Sequence, residues 1–219
     1  MTYRTIVADP PWEYDEGFAT VPDRPRPEAR AAGADRTLAS IIVRSLPYSS
    51  MSVADVCALP LRELVAPDAN LFLWTTNRYL PDAFDVLTDW GFRYRQTVVW
   101  AKPPGSRPPF RATVAPNCAE FLLIARRGRG APLGQPWESN VFTIARPAGH
   151  SQKPEAFLDY IEAISPGPYL ELFARRQRLG WDTWGDEALE HVTLAGNTPP
   201  NSFRSTMRDS ETDGCFRRK

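Results

Sequence analysis

Thr5-Ile6-Val7-Ala8-Asp9-Pro10-Pro11-Trp12 decides how the rest of this 219-residue chain is read. Its first half is a short apolar run of the kind buried in a parallel sheet. An acid, two prolines and an indole then stand at the carboxyl end of that strand, where open α/β sheets place their ligands. An ionised Asp9 accepts hydrogen bonds and donates none. Pro10 and Pro11 fix φ and lack N–H groups, so the backbone presents carbonyls with little freedom. Trp12 offers a flat apolar face on which a nucleobase can stack. Together they suit a planar group bearing an –NH2, the carboxylate taking one amino hydrogen and a proline carbonyl the other. Engaging both N–H bonds localises the nitrogen lone pair and turns it toward an electrophile. That chemistry fits methyl transfer to the exocyclic amine of adenine or cytosine. The plain alternative is a strand end, a proline turn and a core tryptophan, because a four-residue motif alone is weak.

Composition bounds the remaining possibilities. With 42% apolar residues the chain can bury one substantial core, so one domain is expected. Lys plus Arg number 26 and Asp plus Glu 26, so any nucleic-acid surface must come from local clustering. Cys57, Cys118 and Cys215 are widely spaced without a CxxC pair, which suggests neither a disulfide framework nor a zinc site, and no metal is expected. No run of 18 apolar residues exists and the N-terminus enters a strand directly. The chain therefore reads as soluble and cytoplasmic, without a membrane span or signal peptide.

Along the chain, residues 3–8 form the first strand, and 13–45 follow as an irregular loop rich in Pro and Arg, either a lid over the site or a plain insertion. Ser52 is the expected N-cap of a short helix from Val53 to Ala58. Asn70 to Thr76 reads as a buried strand. A helix over 79–90 is expected to bury Leu80, Phe84, Leu87 and Trp90, with Gly91 as its stop. Strands follow at Arg95 to Ala101, Glu120 to Ala125 and Val141 to Ile144. Between 102 and 130 stand Lys102, Arg107, Arg111, Arg126, Arg127 and Arg129 against the single acid Glu120. That positive excess, expected beside the site, suits phosphate contact. Pro154 opens a helix with Phe157, Tyr160, Ile161 and Ile164 on one face. Tyr169 to Phe173 is the last strong strand, and from about 195 the chain reads as a disordered tail. Strands alternating with helices predict a Rossmann-like sheet covered on both faces. There is no GxGxxG and no GxxxxGK[ST], which disfavours dinucleotide dehydrogenases and P-loop enzymes.

With these pieces placed, the chain resembles the adenine-amino methyltransferases related to the catalytic subunit of the eukaryotic mRNA adenosine methyltransferase, a family with bacterial and phage members. The blocks carrying the resemblance come in one order: Ala8 to Trp12, Leu46 to Ser52, Leu71 to Thr75, Val99 to Lys102, Ser151 to Pro154, Ser165 to Gly167, Glu171 to Arg175 and Trp181 to Glu187. The resemblance implies a single S-adenosylmethionine-dependent methyltransferase domain over 1–194, with the permuted order in which the catalytic motif precedes the cofactor motif. It implies catalysis at Asp9, Pro10, Pro11 and Trp12, and base contacts from Tyr48 and Lys102. Cofactor contacts are implied for Asp9, Lys153, Glu171, Arg175, Gln177, Arg178, Asp186 and Glu187. Three departures stand out. Asn is common where Asp186 stands, His is common where Gln152 stands, and the eukaryotic enzymes carry a cofactor-holding segment before the first strand, where only eight residues stand here. The small size favours a bacterial or phage enzyme acting on DNA by direct transfer to a base taken out of its stack. The competing readings are the same chemistry on RNA or cytosine, a non-catalytic nucleic-acid-binding partner subunit, and a small-molecule methyltransferase.

Overall fold

The computed structural model describes residues 1–13, 50–103, 117–147, 152–185, 191, 192 and 194. Tyr48, Asp186 and Glu187, most of the 13–45 loop and the tail from 195 lie outside them. Among the described residues seven strands make one mixed sheet: β1 (Tyr3–Ala8), β2 (Val65–Thr75), β3 (Arg93–Ala101), β4 (Ala119–Arg127), β5 (Val141–Thr143), β6 (Tyr169–Leu172) and β7 (Trp181–Trp184). Their spatial order is β5-β3-β4-β2-β1-β6-β7. β1 runs parallel to both β2 and β6, and β6 to β7. β4 alone is reversed, antiparallel to β2 and β3. The chain leaves β1 toward β2 on one side and returns to β6 on the other. The crevice at the carboxyl ends of β1 and β6 is thus a topological switch point, the usual ligand position in such sheets.

Period-2 alternation splits the core into two layers. Ile6, Ala8, Leu71, Leu73 and Leu123 pack under α1 (Val53–Cys57) and α2 (Leu80–Asp89). Val7, Phe72, Trp74, Leu122 and Ile124 pack under α3 (Ala156–Ile164). Ser52 caps α1 as expected, its hydroxyl accepting from the Asp55 N–H at 3.1 Å. The Trp90 indole joins α2 to α1 by donating to the Val56 carbonyl at 3.0 Å.

Two expected helix faces are rotated slightly. α2 buries Ala83, Val86 and Leu87 and leaves Phe84 against Tyr94 at the surface. α3 buries Leu158 and leaves Tyr160 exposed. β2, β3 and β4 begin earlier than their apolar runs suggest, and β7 forms where no strand is expected. Val192 and Leu194 are buried in the α1–α2 layer, so the packed fold extends at least that far along the chain.

Candidate active site

Register brings the site together. Val7 of β1 lies opposite Glu171 of β6, and Ala8 opposite Leu172, so Asp9 emerges beside the end of β6. Lys153, 144 residues away in sequence, places Nζ 2.7 Å from both Asp9 oxygens. The same ammonium lies 3.3 Å from Glu120 Oε2, and Lys102 Nζ donates to Glu120 Oε1 at 2.6 Å. Glu120 reaches this place because β4 is reversed, which puts its first residues at the carboxyl edge of the parallel strands. The result is an alternating row, Asp9–Lys153–Glu120–Lys102, whose side chains are only 13–24% exposed.

Burial pushes the Asp9 carboxyl above the usual carboxylate range, although the ammonium of Lys153 opposes it. Burial works against the charge on Lys153, but Asp9 and Glu120 overcome it and hold the amine protonated. Burial likewise works against Glu120, and the two lysines overcome it to keep that carboxyl low. Each charge in the row has a partner, the condition under which buried ions persist.

Two clefts meet on this row. One, with about 590 Å³ of empty space, lies on the α3 face between Val7, Trp74 and Glu171 on the sheet and Pro154, Phe157 and Leu158 opposite. The other, about 500 Å³, opens over Pro10, Pro11, Thr75, Thr76 and Arg146. Asp9, Lys153 and Arg175 wall both. In the first, Glu171 Oε2 is buried without a hydrogen-bond partner among the described residues. Burial pushes this carboxyl up to about 7, with Arg176 pulling against it. An orphaned buried acceptor in a cleft fits a ligand that brings hydroxyl donors.

Several of the expected site residues are held by partners of their own. Trp12 is only 4% exposed, stacks on Tyr79 at 5.1 Å and donates its indole N–H to the Trp74 carbonyl at 3.3 Å. Its ring is a fixed wall of the second cleft and not the open stacking face the motif suggested, because a buried indole seeks both a partner ring and an acceptor. The Pro10 carbonyl accepts the Trp12 N–H at 2.8 Å, and the Pro11 carbonyl that of Met51 at 2.9 Å, each retaining a second lone pair. Lys102 is neutralised by Glu120.

Arg178 lines neither cleft and is tied to α3. It forks onto Glu162 at 2.7 and 2.9 Å and reaches Asp159 at 2.6 Å. Gln177 is exposed and lines neither cleft. The basic excess of 102–130 is also divided. Reversal of β4 sends Arg126, Arg127 and Arg129 to the amino-terminal edge, where Arg126 lies opposite Asn70. Glu120, Arg146 and Arg176 also border the row or its clefts, and sequence reasoning missed them. The one clue was Glu120 standing alone among basic neighbours.

Among the described residues no helix is long and apolar enough to cross a membrane. No group of three or more His, Cys, Asp or Glu among them could hold a metal ion.

The MT-A70 family matches residues 3–187. Type II methyltransferase M.MunI of Mycoplasma sp is 32% identical over 188 residues, covering 84% of this chain and 77% of that protein. Human N(6)-adenine-specific methyltransferase METTL4 is 26% identical over 211 residues, covering 87% of this chain and 39% of that one. The human N(6)-adenosine-methyltransferase catalytic subunit METTL3 is 23% identical over 192 residues, 84% of this chain and 28% of its own. The chain thus spans most of the Mycoplasma protein and well under half of the two human ones.

Proposed function

The chain belongs to the MT-A70 family of adenine methyltransferases, and we propose that it transfers a methyl group from S-adenosylmethionine to the N6 amine of adenine in DNA. The observation that carries this reading is the pair of clefts sharing Asp9, Lys153 and Arg175, one for the methyl donor and one for the base. The catalytic strand precedes the cofactor strand in the chain, and residues 1–194 form one domain of the permuted type. DNA is favoured over RNA because the type II methyltransferase matches at higher identity, over far more of its own length, than METTL3.

The donor cleft fits its group. Glu171, with its orphaned oxygen, would take the ribose hydroxyls, and Lys153 and Arg175 would hold the charged methionine end. When bound, S-adenosylmethionine supplies a methyl group on a positively charged sulfur. This chain's residues then orient the acceptor. Asp9, fixed by two hydrogen bonds from Lys153, takes one amino hydrogen of the flipped-out base, and the spare lone pair of the Pro10 carbonyl takes the other. Held so, the amine lone pair faces the donor cleft. The amine must shed one proton as its new bond forms. Asp9, whose burial raises its proton affinity, accepts it. Trp12, braced by Tyr79, closes the side of the base cleft.

The test is transfer of labelled methyl from S-adenosylmethionine to DNA and RNA of matched sequence by the purified protein. Label on adenine in DNA is expected. Label on RNA alone would move the substrate and keep the chemistry. No label on either, together with no thermal stabilisation by the cofactor, would overturn the proposal.

A further inference from the structure

The basic residues that β4 carries away from the active site gather with others at the amino-terminal edge of the sheet. Arg4 stands near the start of β1, Arg93 and Arg95 near the start of β3, and Arg126 near the end of β4, with Arg129 just beyond it. Two clefts adjoin there and share Arg126. One is bordered by Arg4 and Arg129, the other by Arg95 and Trp137. Their acids are Asp68 and Glu138. Asp68 accepts from the Arg129 N–H at 2.7 Å and lies 3.4 Å from its guanidinium, so the two clefts keep an excess of arginines, Arg4, Arg95, Arg126 and Arg129, over these two acids.

Three features set this edge apart from an ordinary solvated charge group. Arg93 and Arg126 stand directly opposite in the β3–β4 ladder, an arrangement that costs stability for like charges. Arg126 Nε is buried without an acceptor among the described residues. Gly130 is built around this arginine: a Cβ there would lie 2.5 Å from Arg126 Cδ. Elsewhere the fold saturates a comparable arginine, Arg178, with carboxylates. Here Asp68 is the one carboxylate paired with any of these arginines among the described residues, in a chain whose overall charge is zero.

We propose that this edge is a second, non-catalytic site for the phosphate backbone of nucleic acid. The inference rests on the nucleic-acid reading of the active site. Arg126 is level with Asn70 and Phe121 with Thr75, so five residues of β4 separate this edge from the catalytic one. At about 3.4 Å per residue that is about 17 Å. One straight duplex cannot lie along both edges. The second site therefore holds a different segment, raising the local concentration of target DNA at the first.

The experiment counts short hairpin duplexes bound per protein at low salt, for the wild type and two variants. One variant is Arg95→Gln with Arg129→Gln, both exposed positions. The other is Arg4→Gln with Arg126→Gln. The wild type should bind two duplexes and each variant one, with methylation of the short duplex unchanged. On long DNA the salt dependence of the variants' affinity should flatten by about 0.9 in log–log slope for each phosphate that the removed arginines no longer neutralise. One duplex on the wild type, or two on both variants, overturns the inference. If the wild type methylates yet binds one duplex, only this inference falls. If no duplex binds and no methyl is transferred, the functional reading falls with it.

Discussion

Replacing Glu171 by Gln should make the cofactor-free protein more stable and the enzyme worse. Burial holds this carboxyl at about 7 against an ordinary 4.5, and one oxygen has no partner among the described residues. Well below pH 4.5 the group is neutral in folded and unfolded chains alike and the folded state bears no penalty. As pH rises toward 7 and beyond, the unfolded chain ionises freely while the folded chain must ionise a buried group. Stability is therefore lost over that window. At about 1.4 kcal/mol per tenfold change in proton affinity, the full cost approaches about 3 kcal/mol above about pH 8. Glu171→Gln keeps the shape and removes the ionisation. Without cofactor it should unfold at a higher temperature than the wild type at about pH 8 to 9, by about 2–4 °C for each kcal/mol recovered, and at nearly the same temperature at about pH 3.5, where the carboxyl is neutral in both states. Its affinity for S-adenosylmethionine should fall at least about tenfold at the alkaline end, the loss expected for a hydrogen bond to a charged group. Thermal unfolding of both proteins across this pH range, with and without cofactor, reads both effects. Parallel stability curves for the two proteins, or unchanged cofactor affinity, would refute the reasoning.

Arg178→Ala and Glu162→Gln should each weaken cofactor binding, and the double variant should be no worse than either alone. Arg178 acts by tying the loop that carries Arg175 and Arg176 to α3, which walls the same cleft. A direct contact would instead leave Glu162→Gln harmless in a binding titration. Lys153→Met leaves Asp9 and Glu120 facing each other without their shared cation, at a cost of about 3 kcal/mol at neutral pH. That loss should shrink as falling pH protonates the carboxylates, which denaturant titrations at neutral and acidic pH will register. Trp12→Phe removes the hydrogen bond to the Trp74 carbonyl and should destabilise by about 1–2 kcal/mol, read by the same titrations.

The central strand and its motif were legible because an apolar run ending in Asp-Pro-Pro-Trp has few structural outcomes. The Ser52 cap was legible because its chemistry is local. The direction of β4 was not, since a buried apolar run reads the same in both directions, and two conclusions turned on it. Reversal brings Glu120 into the Asp9–Lys153 row and removes Arg126 and its neighbours from it. β7 escaped notice because Trp181-Asp182-Thr183-Trp184 is too short for its period to declare itself. The resemblance implies a cofactor contact from Arg178; its ties to Glu162 and Asp159 were not legible, because those residues lie on a helix no local pattern connects to it.

The central claim is that Asp9 orients an adenine amine for methylation in DNA. Nucleosides from DNA and RNA of cells expressing the wild type or Asp9→Ala should be digested and measured by mass spectrometry. The account predicts N6-methyladenine in DNA with the wild type and none above background with Asp9→Ala, the variant remaining folded. N6-methyladenine persisting in the variant's DNA, or absent from the DNA of both, would contradict it.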